Sequence, residues 1–305
     1  MAFLATELRA PRADGGERIT RLAAETGALG IHVGADCDLE ILATAPLVGA
    51  ALRLGLAVPS VALPLAERAL PAGRRLPRLG APARDEREAA VALAEQGIAV
   101  AGAFGARLAV VDFGGVALAA DAARFAQAFA RRAVGEGEPG AELLAAARAE
   151  RRARSAEILD ACHFALEGLL RASDRAGLRL AAQIGVTPWQ AVSPRELGTL
   201  SETFGPALGI AWDPGRLSVL ATLGLPVTDE RLRALAGASL LVVDNDAVGL
   251  APGYLPGLGE RDQRLAEFSP AADVLRVVVG PADATDAEIA AAVSAGPAAS
   301  GGART

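Results

Sequence analysis

The chain has 305 residues, 52% hydrophobic but only 4% aromatic, so its core has to be built mainly from Ala, Leu and Val. Thirty Lys and Arg against thirty-six Asp and Glu leave a net charge of -6, and the basic run "RAERRARS" (148–155) alternates with acids on a helical stretch, so no nucleic-acid partner is expected. Every apolar run is cut by a charge, Gly or Pro before it reaches the roughly 18 residues of a membrane span, and the opening segment lacks a basic region followed by a long apolar one. Neither a membrane partner nor export is expected, and the chain reads as cytoplasmic.

A unit then recurs: a Gly- or Ala-rich turn, a short run of Leu, Val or Ile, and a polar or acidic residue. "AFLATEL" (2–8) is the first run, followed by a helical stretch at 16–27 and by "GALGIHVGAD" (27–36). A helix at 39–55 leads to "GLAVPSVALP" (55–64), and one at 84–105 leads to "GARLAVVDFG" (105–114). The longest interruption, 114–177, holds two helical stretches separated by "GEGEPG" (135–140). It reads first as a long crossover, with a lid or an oligomer contact as alternatives. "GLRLAAQIG" (177–185) resumes the pattern, and Ser193, Pro194 and Glu196 signal the start of a helix at 193–205. "GPALGIAWDPG" (205–215), a helix at 228–237, "GASLLVVDND" (237–246) and "ADVLRVVVGPAD" (272–283) complete the series. The tail 294–305 has linker composition and is expected to be disordered.

Eight near-continuous apolar runs separated by helices suit parallel strands buried on both faces, closed into a (β/α)8 TIM barrel over residues 1–293. The competing architecture is an open doubly wound sheet. Its glycine-rich phosphate loop is missing: "GIHVGADCD" is no GxGxxG, and no GxxxxGK[ST] occurs. Cys37 and Cys162 have no metal-type spacing and read as small buried hydrophobes in a reducing compartment.

In such a barrel the C-terminal strand ends converge on the functional face. The polar residues there are Glu7, Asp36, Asp112, Gln183, Asp213, Asp244, Asp246 and Asp283. Period-two alternation pairs Ala211 with Asp213, Ala181 with Gln183, Val110 with Asp112, and Val242 with Asp244, each pair expected to face the mouth. Aspartate is also a good helix cap and turn former, the preferred reading for Asp112, Asp246 and Asp283; a mouth-facing role is preferred for Asp213. Trp189 either stacks on a sugar face or packs its own loop. His32 shares parity with Asp36 but reads as a core histidine, and His163 lies on an apolar helix as a structural residue.

The segments "GLRLAAQIGVTPWQAVSPRELGTLSETFGPALGIAWDPGRLSVLATLG" and "SLLVVDNDAVGLAPGYLPGLGERDQ", preceded in order by "GLAVPSVALPL" and "RLAVVDFGG", resemble the xylose isomerase-like barrels that include sugar phosphate isomerases and epimerases. The resemblance covers nearly the whole chain. It implies a small-molecule carbohydrate ligand and a divalent cation held by a Glu, an Asp, a His and a Glu ending the fifth to eighth strands. The cation polarises a carbonyl while the glutamates move a proton. Carried onto this sequence, the fifth-strand position is Gln183 and the sixth is Asp213. The His of the family's Asp-x-x-His is Arg216, the seventh strand offers Asp244 or Asp246 but no His, and the eighth ends in Gly280. One ligand of four survives, and a guanidinium beside the site opposes a metal.

The expectation is therefore a degenerate metal site with no cofactor, Mn or Mg being the ions to test. Catalytic candidates are Asp213, Gln183 and Asp244; substrate-binding candidates are Glu7, Asp36, Trp189, Arg216 and Asp246. Arg216 either pairs with Asp213 or receives a carboxylate or phosphate from a small sugar, polyol or sugar acid. The alternative is a catalytically inactive barrel acting as a binding or scaffold protein through its long helical region. A metal site relocated to Asp36, Asp112, Asp244 and Asp246 ranks last, and a homo-oligomer stays open.

Overall fold

Each of the eight apolar runs forms a strand. In the computed structural model, which describes residues 2–5, 17–34, 46–63, 76–135, 137–281 and 283–295, these strands are β1 (Phe3–Ala5), β2 (Gly30–Val33), β3 (Ala57–Ala62), β4 (Leu108–Val111), β5 (Arg179–Gln183), β6 (Leu208–Trp212) and β7 (Ser239–Asp244). A hairpin, β8 (Asp246–Val248) and β9 (Ala251–Tyr254), precedes the last barrel strand, β10 (Leu275–Val278). The barrel closes in the order β1-β10-β7-β6-β5-β4-β3-β2, with every neighbouring pair parallel. This is the TIM barrel read from the sequence.

The helices are α1 (Glu17–Glu25), α2 (Pro46–Arg53), α3 (Arg84–Ala103), α4 (Ala122–Ala130), α5 (Pro139–Ala153), α6 (Ser155–Arg175), α7 (Pro194–Phe204), α8 (Pro214–Thr222), α9 (Asp229–Gly237) and α10 (Asp286–Ser294). The interruption between β4 and β5 contains α4, α5 and α6. The last of these packs on α3, and a Cβ at Gly168 would lie 3.2 Å from Val91. Helices α4 and α5 form a satellite core with Trp189, Val219 and Ala247 beside the C-terminal ends of the strands. The crossover is thus folded onto the barrel's own upper elements. The sequence patterns missed α8, α10 and the β8–β9 hairpin. Glu7, Asp36, Cys37 and the tail from 296 lie outside the described residues. Among the described residues no helix is long and apolar enough to cross a membrane.

Inside the barrel, Phe3, Ala5, Val110, Ala181, Ala211 and Val277 pack across the axis, while a larger apolar layer fills the space between strands and helices. Burial pushes the Cys162 thiol up, as for a small hydrophobe that never ionises. One polar group inside this layer ties the crossover to the barrel. Glu196 completes the expected capping box with Ser193 at the start of α7, but it is also buried. Its carboxylate accepts Arg151 Nη2 at 2.6 Å and Ser155 Oγ at 2.6 Å.

Burial alone would raise the Glu196 carboxyl. The Ser155 hydroxyl, the Arg151 charge and the Ser193 N–H outweigh it and hold the group below the usual carboxylate range. Replacing Glu196 with Ala strands a buried guanidinium and should cost about 3–5 kcal/mol, measurable as a lower urea midpoint. The sign with pH follows: the native carboxylate's contribution is complete above its unfolded value of about 4.3 and is lost as pH falls through the lower folded value. The variant should lack that part of the acid-side decline.

Candidate functional site at the barrel mouth

Strand β6 ends at Trp212, and the following Asp213 serves two elements at once. Its Oδ1 accepts the backbone N–H of Arg216 at 2.9 Å, capping α8, whose first residue is Pro214. The same carboxylate lies in the mouth, 2% exposed, where Oδ1 also accepts Asn245 Nδ2 at 3.0 Å and Oδ2 accepts Gln183 Nε2 at 2.9 Å. Cap and site are one residue.

Arg216, at the third position of α8, reaches back over the helix start. Its Nε lies 3.5 Å from Asp213 Oδ2, its Nη2 donates to Asp112 Oδ2 at 3.0 Å, and its Nη1 donates to the Ile184 carbonyl at 2.7 Å. Asp112 also accepts the Gly114 N–H at 2.9 Å, the turn role expected of it. Arg216 makes the internal pairing, with two acids rather than one.

The seventh strand corrects the sequence reading. Leu241, Val243 and Asn245 line the mouth; Val242 and Asp244 do not. The pairing of β6 with β7 shifts register between Ile210 and Ala211, and the inward end of this strand is an amide lying between two acids. Asn245 Nδ2 donates to Asp213 and to the Val243 carbonyl, while its Oδ1 accepts the Gly253 N–H at 3.1 Å. It thereby joins the β8–β9 hairpin to Asp213. Any side chain at Gly215 would collide with that amide oxygen, so the glycine of "DPGR" is required by packing.

Asp244 and Asp246 hold a second network behind the mouth. Arg261 donates from Nη2 to Asp244 Oδ1 at 2.8 Å and from Nε to Asp246 Oδ1 at 2.7 Å. Arg276 donates to the other Asp244 oxygen at 2.6 Å, and Asp246 accepts the Gly257 N–H at 2.6 Å. Trp189 lies off the cavity, stacked on Phe125 at 5.1 Å and donating to the Ala120 carbonyl, so it packs its loop. Asp283 is exposed and Thr285 caps α10 in its place.

Asp112, Gln183, Asp213, Arg216, Asn245 and His32 give the polar lining of a cavity of about 300 Å³, whose apolar lining includes Leu63, Leu241, Val243 and Val279. His32, on β2, sits with Nδ1 2.8 Å from Ser60 Oγ. Gly280 lines the cavity where a side chain from the eighth strand would otherwise project.

No protein-family model matches the sequence, and no curated protein matches it. Solved structures do match in fold. A D-tagatose 3-epimerase-like protein is 14% identical with a TM-score of 0.60, over 95% of this chain and 94% of that one. The 3-keto-D-glucoside 4-epimerase YcjR of E. coli is 12% identical, with a TM-score of 0.61 over 96% and 97%. A D-psicose 3-epimerase crystallised in the presence of D-fructose is 12% identical, with a TM-score of 0.62 over 99% of both chains. The chain shares the (β/α)8 barrel fold with them.

Burial lowers the affinity of the Arg261 guanidinium for its proton, but Asp244 and Asp246 more than restore it. Arg261→Ala leaves Asp246 without its cation and should cost about 3–5 kcal/mol. Amide hydrogen exchange at Gly257, whose N–H Asp246 holds, should accelerate more than exchange in β4 or β5.

Proposed function

We propose that the barrel mouth binds a small carbohydrate without a bound divalent cation, the fixed charge of Arg216 standing where the fold's relatives are expected to hold a metal. The observation that carries this reading is the guanidinium seated between Asp112 and Asp213. Both acids face it, and the Gln183 amide nitrogen turns toward Asp213, so the donor set offers a dication no open cage of oxygens. Among the described residues, no three or more of His, Cys, Asp and Glu gather as a metal-holding group. The fold supports a carbohydrate ligand, since the structures that share it include sugar epimerases.

A second reading, binding without turnover, is favoured by the state of the carboxylates. Asp213 faces four donors, from Arg216 twice, Asn245 and Gln183, and Asp244 lies off the cavity between two arginines. Neither is placed to take a proton from a substrate carbon. An isomerase or epimerase would need that role filled by another group at the mouth, such as His32 or Asp112.

Thermal unfolding of chelator-stripped protein tests the first reading. Mg, Mn and Co should leave the midpoint unmoved, while a bound sugar at a hundred times its Kd should add about 2.7 kcal/mol. In Arg216→Ala, Asp112 and Asp213 face each other without a cation, and Mn should now stabilise the fold. A saturable Mn response of the native protein sinks the proposal. Turnover is read separately, as deuterium entering a ketose or aldose from D2O.

A further inference from the structure

We infer that the carbohydrate taken by this mouth carries a protonated amine, an amino sugar or amino polyol, in preference to a sugar acid or a phosphorylated sugar. The inference rests on the carbohydrate reading above and narrows it. It follows from the balance of charge and of hydrogen-bonding groups around the cavity.

Among the described residues that line the cavity, the charged side chains are Asp112, Asp213 and Arg216. Two carboxylates share one guanidinium, and each nitrogen of that guanidinium already faces a protein oxygen. An anionic ligand would have to displace Asp112 or Asp213 from Arg216 while lying against the surplus negative charge. The amides add to the imbalance. Gln183 and Asn245 both spend nitrogen on Asp213, and among the described residues the side-chain oxygen of Gln183, a cavity-lining residue, accepts no hydrogen bond. Among the described residues the polar lining is therefore rich in acceptors and suits a ligand that donates through hydroxyls or, better, through an ammonium group.

The two acids are not equivalent toward such a ligand. The Asp213 side chain is 3% exposed and walled in by its donors, whereas Asp112 is 16% exposed at the rim. Asp112 is thus the contact for the ammonium, while the hydroxyls reach Gln183. The apolar lining, from Leu241, Val243 and Val279, gives the non-polar parts of the ligand surface to pack against.

The test is calorimetric titration of the full chain at pH 8, where ordinary imidazoles are neutral. Four ligands share one skeleton: sorbitol, 1-amino-1-deoxysorbitol, gluconate and sorbitol 6-phosphate, with a matching five-carbon set. The amine should bind about tenfold more tightly than the parent polyol, the margin of a charge-assisted over a neutral hydrogen bond. The acid and the phosphate should bind more weakly than the polyol. The amine's margin should shrink as salt is raised and vanish in Asp112→Asn. Equal affinity for amine and polyol, or tighter binding of gluconate or the phosphate, overturns this inference and leaves the carbohydrate reading standing. No binding by any member of either set overturns both. The salt series needs only the native protein, so the inference is decided even where Asp112→Asn fails to fold.

Discussion

A single guanidinium between two carboxylates organises the mouth of this barrel. Asp112 follows β4, Asp213 follows β6 and the Ile184 carbonyl follows β5, so Arg216 fastens three consecutive strand ends together. The spacing of Asp213 and Arg216 explains why this works. A residue at the third position of a helix has its Cα–Cβ bond tilted toward the helix N-terminus, and the N-terminus of α8 sits at the strand ends. An arginine there reaches the mouth while its own backbone N–H is capped by the acid it pairs with. Unpairing such partly buried charges costs several kcal/mol, and this sets the geometry of everything that lines the cavity.

A second charged network works at a distance from the cavity. Arg261 and Arg276 hold Asp244 from opposite sides, and Arg261 passes on to Asp246, whose other oxygen gathers the Gly257 N–H. These bonds pin the β8–β9 hairpin and the loop after it, which places Pro252 and Gly253 against the cavity. The networks meet at Asn245, whose amide nitrogen holds Asp213 and whose oxygen holds Gly253. A neutral amide suits the junction because it both donates and accepts; an aspartate there could only accept and would add a third carboxylate beside Asp213.

The fold was legible because burial on both faces leaves a crude signature, an unbroken apolar run, that survives any detail of packing. The site was legible where alternation stayed in step. Asp112, Gln183 and Asp213 point where parity places them. On β7 the alternation holds through Leu241, Val243 and Asn245, but the two acids drew attention away from the amide between them. Counting parity from Leu241 and Val243 would have found Asn245. The hairpin left a weaker trace, since "DAVGLAPGY" is short and turns on Gly249 at a φ of 59°. Trp189 shows another limit: its sequence neighbours do not announce Phe125, which reaches it from a helix in the crossover.

A guanidinium also differs in kind from the ion whose place it is inferred to take. A dication gathers ligand oxygens directly and exchanges them for water, so it can grip two adjacent hydroxyls wherever they arrive. A guanidinium is tethered, carries one charge, and directs its N–H groups within one plane. Here that plane is turned toward protein oxygens, so the charge stabilises the frame more than it grips a guest. On the proposed carbohydrate reading, recognition shifts to other groups that line the cavity: the carboxylate of Asp112, the amide of Gln183, and apolar side chains that reward fit. With the strong cationic anchor withdrawn into the scaffold, selectivity in such a pocket depends on how well a ligand's donors match fixed acceptors, and on whether its apolar parts pack against those side chains.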